Sequence, residues 1–259
     1  MSVPLPDYID AGSGEPVVVL LHGLGANKNY YSATIEHLAP RHRCLAWSMP
    51  GYDQSPALVE MTFPALAEAV VAMLDDAGVD SAVIVGHSTG GMVGQALWKL
   101  APDRVAGLIL VATSRRFGQD PEQAKAFIES RLAPIEAGLT PADTAERVLS
   151  TISAVELPPD VFAAAVVGMS SISSEAYAAT VRCITTHDHA DVLPTIAVPT
   201  LLISGSEDAT TPHSGMVAME AAIPGSTLLN VEGSGHLIDL EKPTEFRAAV
   251  DGYLRTNFR

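Results

Sequence analysis

Six short apolar stretches, separated by longer amphipathic segments, dominate the pattern of hydrophobic and polar positions along the chain. The clearest is Val17 to Leu21, an uninterrupted aliphatic run that stops at His22-Gly23. Such a run is typical of a strand that is buried on both faces. The other predicted strands are Arg43 to Trp47, Ser81 to Val85, Val105 to Ala112, Thr200 to Ser204 and Thr227 to Val231.

Apolar residues at helical spacing occupy most of the segments between these runs. Because strands alternate with helices, the pattern predicts an α/β fold with a mostly parallel central sheet and helices on both faces. The segment Met1 to Ala11 is short and contains two prolines, so we expect reduced edge strands there. The predicted helices are Phe63 to Ala77, Gly90 to Ala101, His213 to Ala222 and Thr244 to Thr256.

The alternation stops between Ser114 and His189, where the pattern contains repeated helix starts and no strand. Each start combines a capping residue or proline with an acidic or amide residue in the first turn. We therefore predict an α/β core formed by residues 1–113 and 190–259, with a helical cap inserted at residues 114–189. Short, Ala-rich helices would make a poor core alone, which disfavours a second autonomous domain. The helix starts are Asp120-Pro121, Thr140-Pro141, Pro158-Pro159 and Ser173-Ser174.

A candidate nucleophile, Ser88, lies between a predicted strand and a predicted helix. It is flanked by Gly86-His87 and Thr89-Gly90-Gly91. Glycines on either side let the strand and the helix approach each other around a sharp, strained turn that exposes the serine hydroxyl. In this strand-turn-helix context the pattern predicts a catalytic serine.

A serine hydroxyl needs a neighbouring base and an acid that orients the base. Of the eight histidines, His236 follows the last predicted strand directly, at the sheet edge where open α/β sheets bind ligands. Asp208 follows the preceding strand and completes the chain order Ser, Asp, His. Glu207 is the nearest competitor for the acid, and Asp239 is less favoured.

Two backbone N–H groups must stabilise the developing oxyanion. We expect one from Thr89, the residue after the nucleophile, and the other from Leu24 in the loop after the first predicted parallel strand. His187, Asp188 and His189 form the one run with metal-ligand chemistry. We expect them in a solvated loop, because no third ligand cluster is evident. The sequence therefore predicts no metal and no cofactor.

The amino-acid composition indicates which binding partners and which cellular compartment to expect. Fifteen basic and 30 acidic residues give a net charge of −15, a field that repels nucleic acid and anionic membranes. No secretory leader pattern opens the chain, and no apolar stretch is long enough to span a bilayer. Cys44 and Cys183 lack metal or redox spacing, so we expect two reduced thiols in a cytoplasmic protein. The oligomeric state is left open.

The chain resembles the α/β-hydrolase superfamily over nearly its whole length. Within that superfamily, Gly90 to Gln95, Ala112 to Gly118 and the length of the cap resemble 3-oxoadipate enol-lactonase-type serine hydrolases. The stretch Ser48 to Ser55 departs from the family pattern, because Ser48 and Asp53 replace other residues there. The motifs shared with the superfamily are His22-Gly23-Leu24-Gly25, Pro50-Gly51, Gly86 to Gly91, Gly205-x-x-Asp208 and Gly235-His236.

The site residues and the resemblance together imply a serine hydrolase that cleaves a small carboxylic ester or lactone through an acyl-enzyme. The resemblance favours a carboxylate-bearing enol-lactone of aromatic catabolism. Carbon–carbon bond hydrolysis of a dienoic keto acid, cofactor-free perhydrolysis and a ligand receptor on the same fold are the open alternatives. A serine at position 88 disfavours dehalogenation, which uses a carboxylate nucleophile.

A carboxylate-bearing substrate would need a local cation in so acidic a protein. Arg115 and Arg116 follow a predicted strand, at the sheet edge where ligands bind, and either could hold a carboxylate in a bidentate fork. The competing interpretation is that both pair with cap acids such as Asp120 or Glu122.

Overall fold

The computed structural model describes residues 3–118 and 120–258, and the apolar runs form one seven-stranded sheet within them. The strands are Tyr8–Ala11 (β1), Val18–Leu21 (β2), Cys44–Trp47 (β3), Ala82–His87 (β4), Val105–Val111 (β5), Thr200–Gly205 (β6) and Thr227–Val231 (β7). Their order across the sheet is β1-β3-β2-β4-β5-β6-β7. Only β1 runs antiparallel to its neighbour, so the predicted mostly parallel sheet is confirmed.

All six predicted strands are present, and no strand end is shifted by more than two residues. The largest shift is at β4, which extends past Val85 because Gly86 and His87 continue the parallel pairing with β5. Before β2, the described residues contain a single four-residue edge strand, β1, which pairs with β3. This agrees with the expected reduction of the first edge strands.

Helices pack on both faces of the sheet, as predicted. Successive side chains of β2 point to opposite faces: Val19 and Leu21 join one apolar cluster, and Val18 and Leu20 join another. The helices are Ser32–Leu38 (α1), Phe63–Asp76 (α2), Thr89–Leu100 (α3), Pro121–Glu136 (α4), Pro141–Ile152 (α5), Pro159–Ser170 (α6), Ser174–Ile184 (α7), His213–Glu220 (α8), Ile238–Glu241 (α9) and Pro243–Asn257 (α10). Helices α2, α3 and α8 contribute to the first cluster, and α1 and α10 contribute to the second.

Four helices, α4 to α7, lie between β5 and β6, and each begins at a predicted start. The Asp120 side chain accepts a hydrogen bond from the Glu122 N–H, and Ser173 caps α7 in a similar way. Thr140 and Asp143 form a reciprocal capping box at the start of α5. The division into a core of residues 1–113 and 190–259 and a cap of residues 114–189 stays a prediction.

Both cysteines, Cys44 and Cys183, are buried and form no disulfide. Burial raises the pKa of each thiol to about 12, so neither is a ready thiolate. Across the part of the chain that the structure describes, no helix has the length and apolar character needed to cross a membrane.

Candidate active site

Ser88 lies on a sharp turn between the end of β4 and the start of α3. Its φ of 52° and ψ of −117° fall in a region that residues other than glycine rarely occupy. Such backbone strain is concentrated at functional sites, where the surrounding structure holds it in place. The strained turn predicted from the glycine pattern is therefore present.

The glycines around Ser88 are required by close backbone contacts. A Cβ added at Gly86 would lie 2.5 Å from the Gly90 carbonyl oxygen, and one added at Gly90 would overlap the Leu21 carbonyl. A Cβ at Gly23 would lie 3.0 Å from the Ser88 Cβ. The loop after β2 therefore runs directly beside the candidate nucleophile, as an oxyanion loop must.

His236 follows β7, and hydrogen bonds hold both its ring and its backbone. Its Nδ1 lies 2.9 Å from Oδ2 of Asp208, which follows β6. Its carbonyl oxygen lies 2.9 Å from the Nε2 of His87, while its backbone N–H donates to the Ile152 carbonyl at the end of α5. The carboxyl ends of neighbouring parallel strands therefore bring His236 and Asp208 together.

Asp208 is buried and carries several hydrogen bonds besides the one from His236. Its Oδ1 accepts the backbone N–H groups of Thr210 and Thr211 at 2.8 and 3.0 Å, and its Oδ2 accepts the Thr211 hydroxyl at 2.6 Å. Burial alone would raise the pKa of Asp208, but the contacts with His236 and Thr211 outweigh it and lower the pKa. The carboxylate is thus held ionised beside the imidazole.

The two competing acids lie elsewhere. Glu207 is exposed, and its side chain contacts only the Ser206 hydroxyl, at 3.4 Å, among the described hydrogen bonds. Asp239 is buried at the start of α9 and accepts a hydrogen bond from the Thr34 hydroxyl at 2.9 Å. Burial raises the pKa of Asp239 to about 7, with Thr34 and Arg247 opposing the rise. Of the three acids, Asp208 is the one bonded to His236.

Four of the five predicted site residues, Ser88, Thr89, Leu24 and His236, line one cavity of about 60 Å³. We call it the serine chamber. The fifth, Asp208, lies behind His236. Half of the twelve remaining lining residues are aliphatic or aromatic side chains of α4 to α7, and α4 also contributes one cation, Arg131. These others are Gly25, Met92, Phe117, Phe127, Arg131, Val148, Ile152, Met169, Tyr177, Ile184, Thr210 and Thr211.

Both predicted oxyanion donors border the serine chamber. Thr89 is the first residue of α3, so its N–H has no intrahelical acceptor. Among the described residues, no backbone carbonyl accepts the Leu24 N–H. Two N–H groups are therefore available beside Ser88 for an oxygen that acquires negative charge.

The other histidines near Ser88 are held neutral. His87 stacks on Tyr30 at 5.4 Å between ring centroids, and burial lowers its pKa to about 3. The Nε2 of His22 accepts the Met49 N–H at 3.0 Å, and burial lowers the pKa of His22 to about 4. The His87 side chain is therefore engaged with Tyr30 and the His236 carbonyl.

The expectation of a solvated loop at His187, Asp188 and His189 is wrong for both histidines. His187 and His189 are buried and pack against Phe63, with their Nδ1 atoms 3.0 Å apart. Only Asp188 is exposed, which places the imidazoles in the core and the carboxylate in solvent. Within residues 3–118 and 120–258, no cluster of three or more His, Cys, Asp or Glu side chains could hold a metal ion.

The two arginines singled out from the sequence do not line the serine chamber. Arg116 is exposed and lies 3.9 Å from Asp188, an acid of the predicted cap other than the expected Asp120 or Glu122. Neither Arg115 nor Arg116 lines the chamber, whereas Arg131 of α4 does. The cation in the serine chamber is therefore Arg131 of α4, and the sequence alone did not indicate which face of α4 points toward the chamber.

Thr211 is a second residue that sequence reasoning missed. Its hydroxyl lies 2.6 Å from Asp208 Oδ2 and 3.4 Å from His236 Nδ1. The available signal was a threonine three residues after an aspartate in a loop, a spacing at which the aspartate carboxylate accepts local backbone N–H groups.

Comparison with known proteins shows to which family the chain belongs. The family model for the alpha/beta hydrolase fold matches residues 16–243. The chain belongs to the α/β-hydrolase fold family. The resemblance inferred from the sequence motifs is therefore confirmed.

The relatives of this α/β-hydrolase include enzymes that act on esters and lactones. A 3-oxoadipate enol-lactonase 2 of Acinetobacter baylyi is 27% identical over 96% of this chain and 92% of its own length. A pimeloyl-[acyl-carrier protein] methyl ester esterase of Serratia marcescens is 28% identical over 94% and 95% of the two chains. The solved thermophilic esterase of Thermogutta terrifontis has a TM-score of 0.88 at 27% identity, covering 98% of this chain and 94% of its own.

Proposed function

We propose that this α/β-hydrolase is a serine hydrolase that cleaves a small carboxylic ester or lactone through an acyl-enzyme. One observation carries the proposal. A His236–Asp208 hydrogen bond of 2.9 Å lies beside a chamber that also exposes Ser88 on a strained turn. Relatives named as an enol-lactonase and as esterases support the same reaction class.

The first half-reaction follows from the hydrogen bonds around His236. Because Nδ1 is bonded to Asp208, the free Nε2 is the atom that takes the Ser88 proton as Oγ attacks the carbonyl carbon. The anionic Asp208 stabilises the imidazolium that forms. The N–H groups of Leu24 and Thr89 stabilise the oxyanion of the tetrahedral intermediate.

The first half-reaction ends when the C–O bond to the leaving group breaks, the leaving oxygen takes the proton from His236 Nε2 and the acyl group remains on Ser88. Water then attacks the acyl carbon, and His236 accepts a proton from that water and returns it to Ser88. With a lactone, the alcohol produced in the first step stays tethered to the acyl group until water releases it.

Residues 114–189 would act as the cap over this reaction. Side chains of α4 to α7 supply most of the apolar lining of the serine chamber, and the Ile152 carbonyl of α5 accepts the His236 N–H. Excluding water around the oxyanion strengthens the hydrogen bonds that stabilise it. The carboxylate-bearing enol-lactone remains a specific candidate substrate because Arg131, a bidentate cation, borders the chamber.

Hydrolysis of p-nitrophenyl acetate by the wild-type chain and by Ser88→Ala tests the proposal. We expect the variant to lose about 10⁴-fold or more in kcat, with a residual rate from the oxyanion donors. Ser150→Ala, at an exposed serine of α5, is the matched control and should keep the wild-type rate. A Ser88→Ala variant that retains a tenth of the activity contradicts the proposed nucleophile. No turnover by the wild-type chain would favour a ligand receptor.

A further inference from the structure

A second, larger cavity adjoins the serine chamber. It has a volume of about 240 Å³, and we call it the side chamber. We propose that the side chamber binds an unbranched hydrocarbon chain carried by the ester or lactone. This inference rests on the proposed hydrolase function and adds the substrate class to it.

The walls of the side chamber are mainly aliphatic. Helix α5 contributes Val148, Leu149 and Ile152, and α6 contributes Val161 and Ala165 among others. Each methylene that leaves water for such a wall gains about 0.8 kcal/mol, which is roughly fourfold in an equilibrium or rate constant. The chamber therefore favours a saturated chain.

Some polar atoms of the residues that line the side chamber are engaged within the protein, whereas the Tyr30 hydroxyl and the His87 Nδ1 are buried without a hydrogen-bond partner among the described residues. The Asn27 side chain accepts the Asn29 N–H at 3.0 Å and donates to the Ser171 hydroxyl at 3.1 Å. The Nε2 of His87 lies 2.9 Å from the His236 carbonyl. No Asp, Glu, Lys or Arg side chain of the described residues lines it, whereas Arg131 lines the serine chamber. A charged ligand would lack a partner in the side chamber.

The size of the side chamber sets the length of the chain. An apolar cavity of about 150 Å³ accommodates benzene, and a water-sized group takes about 30 Å³. The 240 Å³ of the side chamber therefore corresponds to roughly eight such groups. We expect a chain of about six to eight carbons to fill it.

The two chambers share walls, which links the hydrocarbon site to the reaction. Five residues line both: Leu24, Gly25, Val148, Ile152 and Met169. Leu24 is also the expected oxyanion donor, so the shared wall begins next to the carbonyl that Ser88 would attack. The unbranched Met169 side chain can adjust its conformation as a chain passes it.

Chain-length series on the wild-type chain test the inference. The acyl arm uses p-nitrophenyl esters from acetate to octanoate, and the alcohol arm uses alkyl acetates from methyl to hexyl. In the arm whose chain enters the side chamber, kcat/KM should rise about fourfold per methylene, on the order of 10² from two to six carbons. A flat profile in both arms overturns the inference.

Filling the side chamber should remove that preference. We expect Ala165→Phe to lower kcat/KM for the six-carbon substrate at least about tenfold while changing the two-carbon substrate less than about twofold, because only the long chain loses its contacts. Ala163→Phe is the matched control, since Ala163 is an exposed neighbour on α6 that does not line the chamber. Ala165→Leu provides a milder filling, and melting temperatures establish that each variant folds. Equal losses on both substrates contradict the assignment.

A binding measurement separates this inference from the proposed function. Calorimetric titration of Ser88→Ala with methyl acetate, methyl hexanoate and hexyl acetate requires no turnover and covers both arms. We expect the six-carbon ester of the arm that enters the side chamber to bind more tightly than methyl acetate by on the order of 10²-fold and to lose that advantage when Ala165→Phe is added. Failure of wild-type hydrolysis with this binding intact would refute the hydrolase and keep the hydrocarbon site. Equal binding of all three esters would refute the site.

Discussion

Replacement of Asp208 by asparagine tests how the acid acts on His236. Asp208 offers two oxygens to four donors: the N–H groups of Thr210 and Thr211 on Oδ1, and the Thr211 hydroxyl and His236 Nδ1 on Oδ2. An asparagine has one oxygen and one NH₂ group, so it cannot satisfy all four.

The two backbone donors decide the orientation of the new amide. Their N–H groups cannot turn, so an NH₂ group facing them would leave buried donors unsatisfied, at about 1–3 kcal/mol each. The NH₂ group therefore faces His236, and the imidazole must present Nδ1 as an acceptor. Its proton then lies on Nε2, the atom that has to take the proton of Ser88. This wrong tautomer and the lost carboxylate charge should lower kcat by about 10⁴-fold.

Initial rates of p-nitrophenyl acetate hydrolysis, measured with melting temperatures, give the comparison. Glu207→Gln is the matched control because Glu207 is exposed and contacts only the Ser206 hydroxyl. We expect it to change kcat less than about twofold, as for most exposed substitutions. An Asp208→Asn variant that folds and keeps more than a tenth of wild-type kcat refutes the tautomer argument. A larger loss in Glu207→Gln would move the acid to that residue.

Two further predictions concern charge. Burial raises the pKa of Asp239 from 3.8 to about 7. Between these two pH values the native protein keeps the Asp239 proton, whereas the unfolded chain releases it. The free energy of unfolding therefore falls as the pH rises through this range. Asp239→Asn should remove this decrease in the free energy of unfolding and stabilise the protein at pH 8 by up to about 4 kcal/mol, as measured by urea titration. If the free energies of unfolding of the variant and the wild type vary with pH in the same way, the raised pKa is contradicted. For substrate charge, Arg131→Ala should lower kcat/KM for a carboxylate-bearing lactone at least about tenfold while sparing its methyl ester. Arg116→Ala is the control, and equal effects of Arg131→Ala on both substrates would remove Arg131 from carboxylate recognition.

The strands and the turn at Ser88 could be predicted because their signals are local. A buried parallel strand needs an uninterrupted apolar run, and the approach of β4 to α3 needs glycine at positions 86 and 90. The pairing of His236 with Asp208 also followed from topology, since both residues come directly after neighbouring strands.

The linings of the two chambers could not be predicted because they depend on how α4 to α7 pack over the sheet. Helix starts are encoded in capping residues, but nothing local indicates that Arg131 faces Ser88 while Arg116 faces solvent. The burial of His187 and His189 could not be predicted for the same reason, because it depends on contacts with distant parts of the chain. Their surroundings include Phe63 from α2, more than 100 residues earlier in the chain.

Covalent labelling of Ser88 tests the central proposal most directly. A p-nitrophenyl alkylphosphonate places a phosphoryl oxygen where the carbonyl oxygen would lie, and its phosphorus forms a stable bond with an activated serine as p-nitrophenolate leaves. Intact-mass and peptide analysis should show one adduct on the peptide that contains Ser88. The adduct should be absent from Ser88→Ala and should form far more slowly in Asp208→Asn, because His236 no longer accepts the serine proton. Labelling at another residue, or equal labelling of Ser88 in wild type and Asp208→Asn, would contradict the proposed mechanism.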